Sequence, residues 1–133
     1  MNNMNNFNKE PILIVEDDKF LRELLFRKLK NNEFNVSVAI DGTEALKKIK
    51  EEDYRIVLLD LVLPGADGFE ILKEIKKDPK TSQISVIILS NLGQKEEVEK
   101  GLRLGAEDYL IKAHFTPDEI ISKIEKILSG GNK

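Results

Sequence analysis

The sequence predicts an α/β fold: a mostly parallel five-stranded sheet with helices on both faces. Three observations carry this. Short apolar runs alternate along the chain with amphipathic stretches of helical period. Three of the five runs are unbroken blocks of β-branched residues and Leu, which suits strands buried on both faces. Helix start and stop signals fall between the runs, not within them.

Residues 1–9 (MNNMNNFNK) carry five Asn and little to bury, so a disordered tail is expected there. One domain is expected over residues 10–129, followed by a short C-terminal tail over 130–133. The first strand is Ile12–Val15 (ILIV). Leu21, Leu24, Leu25 and Leu29 follow at helical spacing and share one face of a first helix. In Phe34–Ile40 (FNVSVAI), Phe34, Val36, Val38 and Ile40 alternate with other residues, as on an edge strand. Ala45, Leu46 and Ile49 mark a second helix, and Ile56–Leu59 (IVLL) a third strand. Phe69, Ile71, Leu72 and Ile75 mark a third helix, and Val86–Leu89 (VIIL) a fourth strand. Val98, Leu102 and Leu104 give a weaker face for a fourth helix. Tyr109–Ile111 is the fifth strand, and Ile120, Ile121, Ile124, Ile127 and Leu128 line a fifth helix. Thr116-Pro117-Asp118-Glu119 reads as a capping box with Pro at the first helical position. Asp41 to Glu44 and Asp67 to Glu70 repeat the acidic spacing, and Gly130-Gly131 is a stop. Strict alternation of this kind makes a doubly wound (βα)5 sandwich. The flavodoxin-like strand order 2-1-3-4-5 is the common one for that count.

Composition narrows the chemistry. The chain has 133 residues, with 24 acidic and 21 basic side chains and a net charge of −3, which argues against nucleic acid as a direct partner. It has no Cys and one His, which removes thiolate chemistry, Cys-ligated metals and multi-histidine sites. The Asn-rich start is no secretory signal, and no apolar run reaches the ~18 residues of a membrane span. A cytoplasmic protein without membrane insertion is expected.

In a sheet of this order, ligands bind beyond the carboxyl ends of the strands, near the point where the order reverses. The first strand ends in Glu16-Asp17-Asp18, the third in Asp60, the fourth in Ser90-Asn91 and the fifth in Lys112. A lone Asp at a strand end is usually a turn or helix cap, and Asp18 suits that role before the first helix. Four strand ends delivering acid, acid, hydroxyl and lysine to one edge is a different matter. Clustered carboxylates need a counter-charge. Lys112 supplies one, and a hard divalent cation, Mg²⁺ or Mn²⁺, suits the oxygen donors. Such a set permits phosphoryl transfer, with Asp60 as nucleophile, Glu16 and Asp17 holding the metal, and Lys112 and Ser90 binding phosphoryl oxygens.

From about Pro11 to Leu128 the chain resembles the receiver domain of two-component response regulators. The segments that carry this are ILIVEDD (12–18), IVLLDLVLPGADGFEIL (56–72), VIILSN (86–91) and GAEDYLIK (105–112). The resemblance implies that Asp60 accepts a phosphoryl group from a sensor histidine kinase or a histidine phosphotransfer protein. It implies Mg²⁺ on Asp17, on Glu16 through water, on Asp60 and on the backbone carbonyl of Val62. Ser90 matches the switch hydroxyl, Lys112 the phosphate-pairing lysine, and Tyr109 the aromatic that turns inward as the switch moves. Such a protein is a phosphoacceptor switch that promotes its own phosphorylation and slow dephosphorylation. Its output partner is a downstream protein, or a second receiver in a phosphorylation-dependent homodimer. The initial Met and the Gly130-Gly131-Asn132-Lys133 end favour a stand-alone receiver with no output domain.

Three departures from the family pattern bear on the site. Ala113 follows Lys112 where the family usually has Pro after a cis bond. A non-proline cis bond costs ~2.5–4 kcal/mol, which weighs toward a trans bond and a reshaped loop. Asn91 follows Ser90 where a smaller residue is common. Val62 and Leu92 are apolar at positions that influence dephosphorylation, so neither can position an attacking water and slow decay is expected. His114 and the lysines at 47, 48, 50, 76, 77 and 80 read as solvated surface. The alternative function is a degenerate receiver that acts only as an interaction or dimerisation module. A haloacid-dehalogenase-type phosphatase would need an Asp at position 62, a flavodoxin a hydroxyl-rich loop after the first strand, and a P-loop enzyme its GK motif. All three features are absent.

Overall fold

The computed structural model describes residues 10–130. The expected tail at 1–9, and residues 131–133 of the one expected at 130–133, lie outside the described residues. The elements run β1 (Pro11–Val15), α1 (Lys19–Asn31), β2 (Asn35–Ala39), α2 (Gly42–Glu51), β3 (Ile56–Leu59), β4 (Val62–Leu63), β5 (Ala66–Asp67), α3 (Gly68–Lys77), β6 (Ser85–Ser90), α4 (Lys95–Arg103), β7 (Asp108–Ile111) and α5 (Pro117–Leu128). The main sheet has the order β2-β1-β3-β6-β7, and every pairing in it is parallel. This is the flavodoxin-like 2-1-3-4-5 order, since β4 and β5 form a separate two-stranded antiparallel hairpin.

The apolar runs explain the layers. Successive strand residues point to opposite faces, so an unbroken ILIV or IVLL block must be covered twice. Leu13, Val15, Val57, Leu59, Val86 and Ile88 pack toward α2 and α3, meeting Ala45, Ile49, Leu72 and Ile75. Ile12, Ile14, Ile56, Leu58, Ile87 and Leu89 pack toward α1 and α5, meeting Leu25, Leu29, Ile120 and Ile124.

The helix starts follow the cap residues. Asp18 accepts hydrogen bonds from the Phe20 and Leu21 N–H groups, Asp41 from Glu44 N–H, and Asp67 from Phe69 N–H. Thr116 and Glu119 form the expected capping box, with Pro117 opening α5.

Four details differ from the sequence expectation, each for a local reason. Phe34 is buried but lies outside β2, because its N–H still donates to Leu29 at the end of α1. Ile40 is 47% exposed, because its N–H already belongs to the α2 start through Glu44. On α4, Leu102 faces solvent and Gly101 takes the buried position. Lys48 and Lys76 are not solvated faces: Lys48 donates to the Val38 carbonyl at the edge strand, and Lys76 to the Ser82 and Ile84 carbonyls. Burial pushes the Lys76 ammonium below its ordinary value, against the opposing charge of Glu107.

Leu25 is fully buried between α1 and the sheet, whereas Phe20 on the same helix is 76% exposed. Leu25→Ala is expected to cost ~2–5 kcal/mol, and Phe20→Ala no more than about 0.5 kcal/mol. Urea unfolding midpoints of the two variants check the contrast.

Candidate functional site

Strand register builds the site. Val15 pairs with Ala39 on one side and with Leu59 on the other. The residues that follow, Glu16 and Asp60, therefore leave the sheet side by side. The ladder continues into them: Glu16 N–H donates to the Ala39 carbonyl and Asp60 N–H to the Val15 carbonyl, each at 3.0 Å. On the other side of β3, Ser90 pairs with Ile111, so Lys112 emerges one residue beyond the hydroxyl. Glu16, Asp60 and Ser90 are buried, whereas Asp17 is exposed.

Lys112 joins the two strand-end acids. Its Nζ lies 2.9 Å from Glu16 Oε1 and 2.9 Å from Asp60 Oδ2. Burial alone would lower the ammonium's pKa, but hydrogen bonds to Asp60 and Glu16, with their charges, raise it above the ordinary lysine value. Burial raises the Glu16 carboxyl above its usual range, and the nearby Asp60 charge adds to this, against the bonds from Lys112 and the Asp18 N–H. Asp60 Oδ1 accepts a hydrogen bond from Val62 N–H at 3.2 Å, so both of its oxygens have partners. One carboxylate oxygen from each of Glu16, Asp17 and Asp60 lies within 4.8 Å of the others. Three acids face one ammonium, and the donors are hard oxygens, so the cluster is compatible with a divalent cation.

The departures at Ala113 and Asn91 leave this geometry intact. Among the described residues there is no cis peptide bond, so Lys112–Ala113 is trans, and the chain turns through a single 3-10 turn at Lys112–His114. Lys112 still reaches both carboxylates. Asn91 and His114 are exposed, and Val62 is 59% exposed on the hairpin that follows Asp60. Ser90 Oγ accepts a hydrogen bond from Leu92 N–H at 3.2 Å, and Tyr109 donates its hydroxyl proton to the Leu92 carbonyl. The Tyr109 ring is buried, and that burial, with the charges of Glu97 and Asp60, pushes its phenol up to about 12.

Two supporting residues escaped the sequence reading. Arg22 on α1 donates to the backbone carbonyls of Glu16 at 2.9 Å and Asp17 at 3.2 Å, which ties down the acidic loop. A lone Arg on a helix flank carries no signal for this. Gly68 packs on the Asp60–Leu61 peptide: a Cβ there would run into the Leu61 Cα and come within 2.7 Å of the Asp60 carbonyl oxygen. The Asp-Gly pair at the start of α3 was a usable clue, but it also fits an ordinary helix cap.

Lys112→Met leaves Glu16 and Asp60 without their cation. At neutral pH a loss of about 2–3 kcal/mol is expected, below the ~3–5 kcal/mol of a fully buried pair because the lysine side chain is 17% exposed. The Lys112 pKa is raised on folding, so its contribution is complete below the ordinary lysine value and is lost as pH rises through the folded value. Toward acid the gap also closes, because the variant's uncompensated carboxylates take up protons in the folded state. The difference between wild type and variant is therefore a plateau that falls at both ends, read from urea midpoints between about pH 4 and pH 11.

The chain is similar to known proteins in sequence and in fold. The response regulator receiver domain family matches residues 12–125. The phosphate regulon transcriptional regulatory protein PhoB of Escherichia coli K12 is 34% identical over 117 residues, covering 88% of this chain and 51% of PhoB. The chain spans about half the length of the curated relatives it matches. Among solved structures, the Francisella response regulator 1452 receiver domain superposes with a TM-score of 0.83 at 34% identity, covering 94% of this chain and 100% of that one. The Mn²⁺-bound form of response regulator Rcp1 superposes with a TM-score of 0.78 at 29% identity, covering 88% and 92%. A single parallel sheet with an acid–lysine cluster at its carboxyl edge, matched by the family over nearly its whole length, makes this chain a member of the response regulator receiver domain family.

Proposed function

We propose that residues 10–129 are a receiver unit that takes a phosphoryl group onto Asp60 in a Mg²⁺-dependent reaction and then changes what its Ser90–Tyr109 side binds. The observation that carries this reading is the setting of Asp60. It is a buried strand-end carboxylate with an acidic pair on one side and a lysine ammonium at 2.9 Å on the other.

The donor is a phosphohistidine of a sensor kinase or phosphotransfer protein. An oxygen of the ionised Asp60 carboxylate attacks phosphorus. A P–O bond forms as the P–N bond breaks, and the imidazole nitrogen keeps the electron pair. The product is an acyl phosphate on Asp60. Lys112, already on Asp60 Oδ2, pairs with a phosphoryl oxygen as charge moves outward. Ser90 donates its hydroxyl proton to a second oxygen. Glu16, Asp17, Asp60 and the Val62 carbonyl would hold Mg²⁺, with Mn²⁺ as an alternative. When bound, the ion offsets the charge of the phosphoryl oxygens. Such a donor places the protein in the cytoplasm.

Leu92 links the site to the output side, because Ser90 holds its N–H and Tyr109 holds its carbonyl. A turn of Ser90 toward the phosphoryl group is felt at Tyr109 through that one residue. Phosphorylation then favours one of two arrangements of the α4–β7–α5 face, which meets a downstream protein or a second copy of this chain.

Intact mass after incubation with Mg²⁺ and acetyl phosphate tests the central step. One added phosphoryl group is expected, dependent on Mg²⁺ and absent in Asp60→Asn. No addition to a folded protein that binds Mg²⁺, with a cognate phosphodonor also supplied, would refute the reading. Apolar Val62 and Leu92 leave no side chain to orient a hydrolytic water, so the phosphoryl group is long-lived. The double variant Val62→Asn, Leu92→Gln is expected to shorten its half-life by about tenfold, less than the ~10²–10⁴ of a full general base. Decay followed by mass checks this.

A further inference from the structure

α4 spends its one fully buried position on a glycine, Gly101. Glycine is a poor helix residue, second only to proline, so a glycine on the inner face of a helix calls for a packing reason. The reason here is Tyr109. A Cβ at position 101 would lie 2.9 Å from Tyr109 Cδ2, 3.2 Å from Cε2 and 2.7 Å from Ile88 Cδ1. These three nearest atoms all belong to side chains, and none to backbone. An alanine there therefore meets side chains first.

The two neighbours are not equally free to give way. Ile88 Cδ1 is the tip of a flexible chain and can rotate. The Tyr109 ring is held at both ends: its backbone lies in β7, and its hydroxyl donates to the Leu92 carbonyl. The ring cannot slide off a new methyl group without straining or breaking that bond. Leu92 is also the residue whose N–H donates to Ser90 Oγ. We infer that Gly101 is a positioning residue: the recess left by its missing side chain holds Tyr109 inward, and through Leu92 this sets the arrangement of Ser90 beside Asp60. The positional half stands on packing alone, and the link to Asp60 rests on the receiver reading above.

The chain has no Trp and two Tyr, so Tyr54→Phe leaves Tyr109 as the one tyrosine whose emission is read. Acrylamide quenching of Tyr109 and the initial rate of phosphorylation by acetyl phosphate with Mg²⁺ are measured in four proteins. These are Tyr54→Phe alone, then with Gly101→Ala, with Ile88→Val, and with both. Ile88→Val removes the Cδ1 atom that competes for the same space. Gly101→Ala is expected to raise the quenching constant at least about twofold and to lower the phosphorylation rate several-fold, with the melting transition still cooperative. The doubly substituted protein keeps both effects. An unchanged quenching constant, or one returned to the parent value by Ile88→Val, overturns the inference. Raised quenching with an unchanged phosphorylation rate overturns the link to Asp60. If the Tyr54→Phe parent, folded and able to bind Mg²⁺, takes no phosphoryl group from acetyl phosphate or from a cognate phosphodonor, it is the receiver reading that fails, and quenching alone still decides the positional half.

Discussion

The site depends on one electrostatic constraint: two neighbouring strands deliver their acids to the same point, and a single ammonium bridges them. Two like charges about 4 Å apart repel by ~4 kcal/mol at an effective dielectric near 20. The parallel pairing of β1 and β3 leaves Glu16 and Asp60 no room to avoid each other, because Val15 and Leu59 are partners in the ladder. Lys112 answers both acids from the end of β7. Burial still lifts the Glu16 carboxyl, so the charged form is held at a cost. Asp17, exposed beside them, adds a third acid that the lysine does not touch. The result is a pocket kept short of positive charge by the order of its strands.

Several otherwise unconnected features serve that pocket. Arg22 grips the carbonyls of Glu16 and Asp17 without using its charge on their carboxylates. The β4–β5 hairpin carries the chain away from Asp60, and Val62 N–H turns back to it. Gly68 lets α3 start directly against the Asp60–Leu61 peptide, so the backbone of Asp60 is clamped by a helix terminus. On the far side, Leu92 is shared between Ser90 and Tyr109. The two ends of one residue thus connect the buried hydroxyl to the aromatic ring packed on Gly101. Rigid strands position the acids and the lysine, and one loop residue links the hydroxyl to the ring.

Much of this was legible in the sequence, for identifiable reasons. ILIV, IVLL and VIIL fit strands covered on both faces, and the alternation with helical periods left little choice of order. Once the order was set, Glu16, Asp17, Asp60, Ser90 and Lys112 had to share an edge. What stayed hidden depends on geometry that sequence spacing does not carry. Two-residue strands such as β4 and β5 have no periodicity to detect. Lys48 and Lys76 look like solvated lysines, and only the folded chain brings the Val38, Ser82 and Ile84 carbonyls within their reach. Leu102 and Gly101 exchanged roles on α4 because hydrophobicity says nothing about the space a neighbouring tyrosine takes. The Lys112–Ala113 bond was an open question in sequence. The 3-10 turn resolves it by keeping the lysine aimed at both acids with a trans peptide.

The most direct test of this electrostatic account is a Mg²⁺ titration followed by calorimetry and by melting temperature, on wild type and Asp17→Asn. The account predicts one saturable site in the wild type, with added stability of about 2.7 kcal/mol at a hundredfold excess over the dissociation constant. In Asp17→Asn both signals should be largely lost, while the metal-free protein is at least as stable as wild type because one uncompensated charge is gone. A folded wild type that shows no saturable Mg²⁺ binding, or an Asp17→Asn protein that binds as tightly, would contradict it.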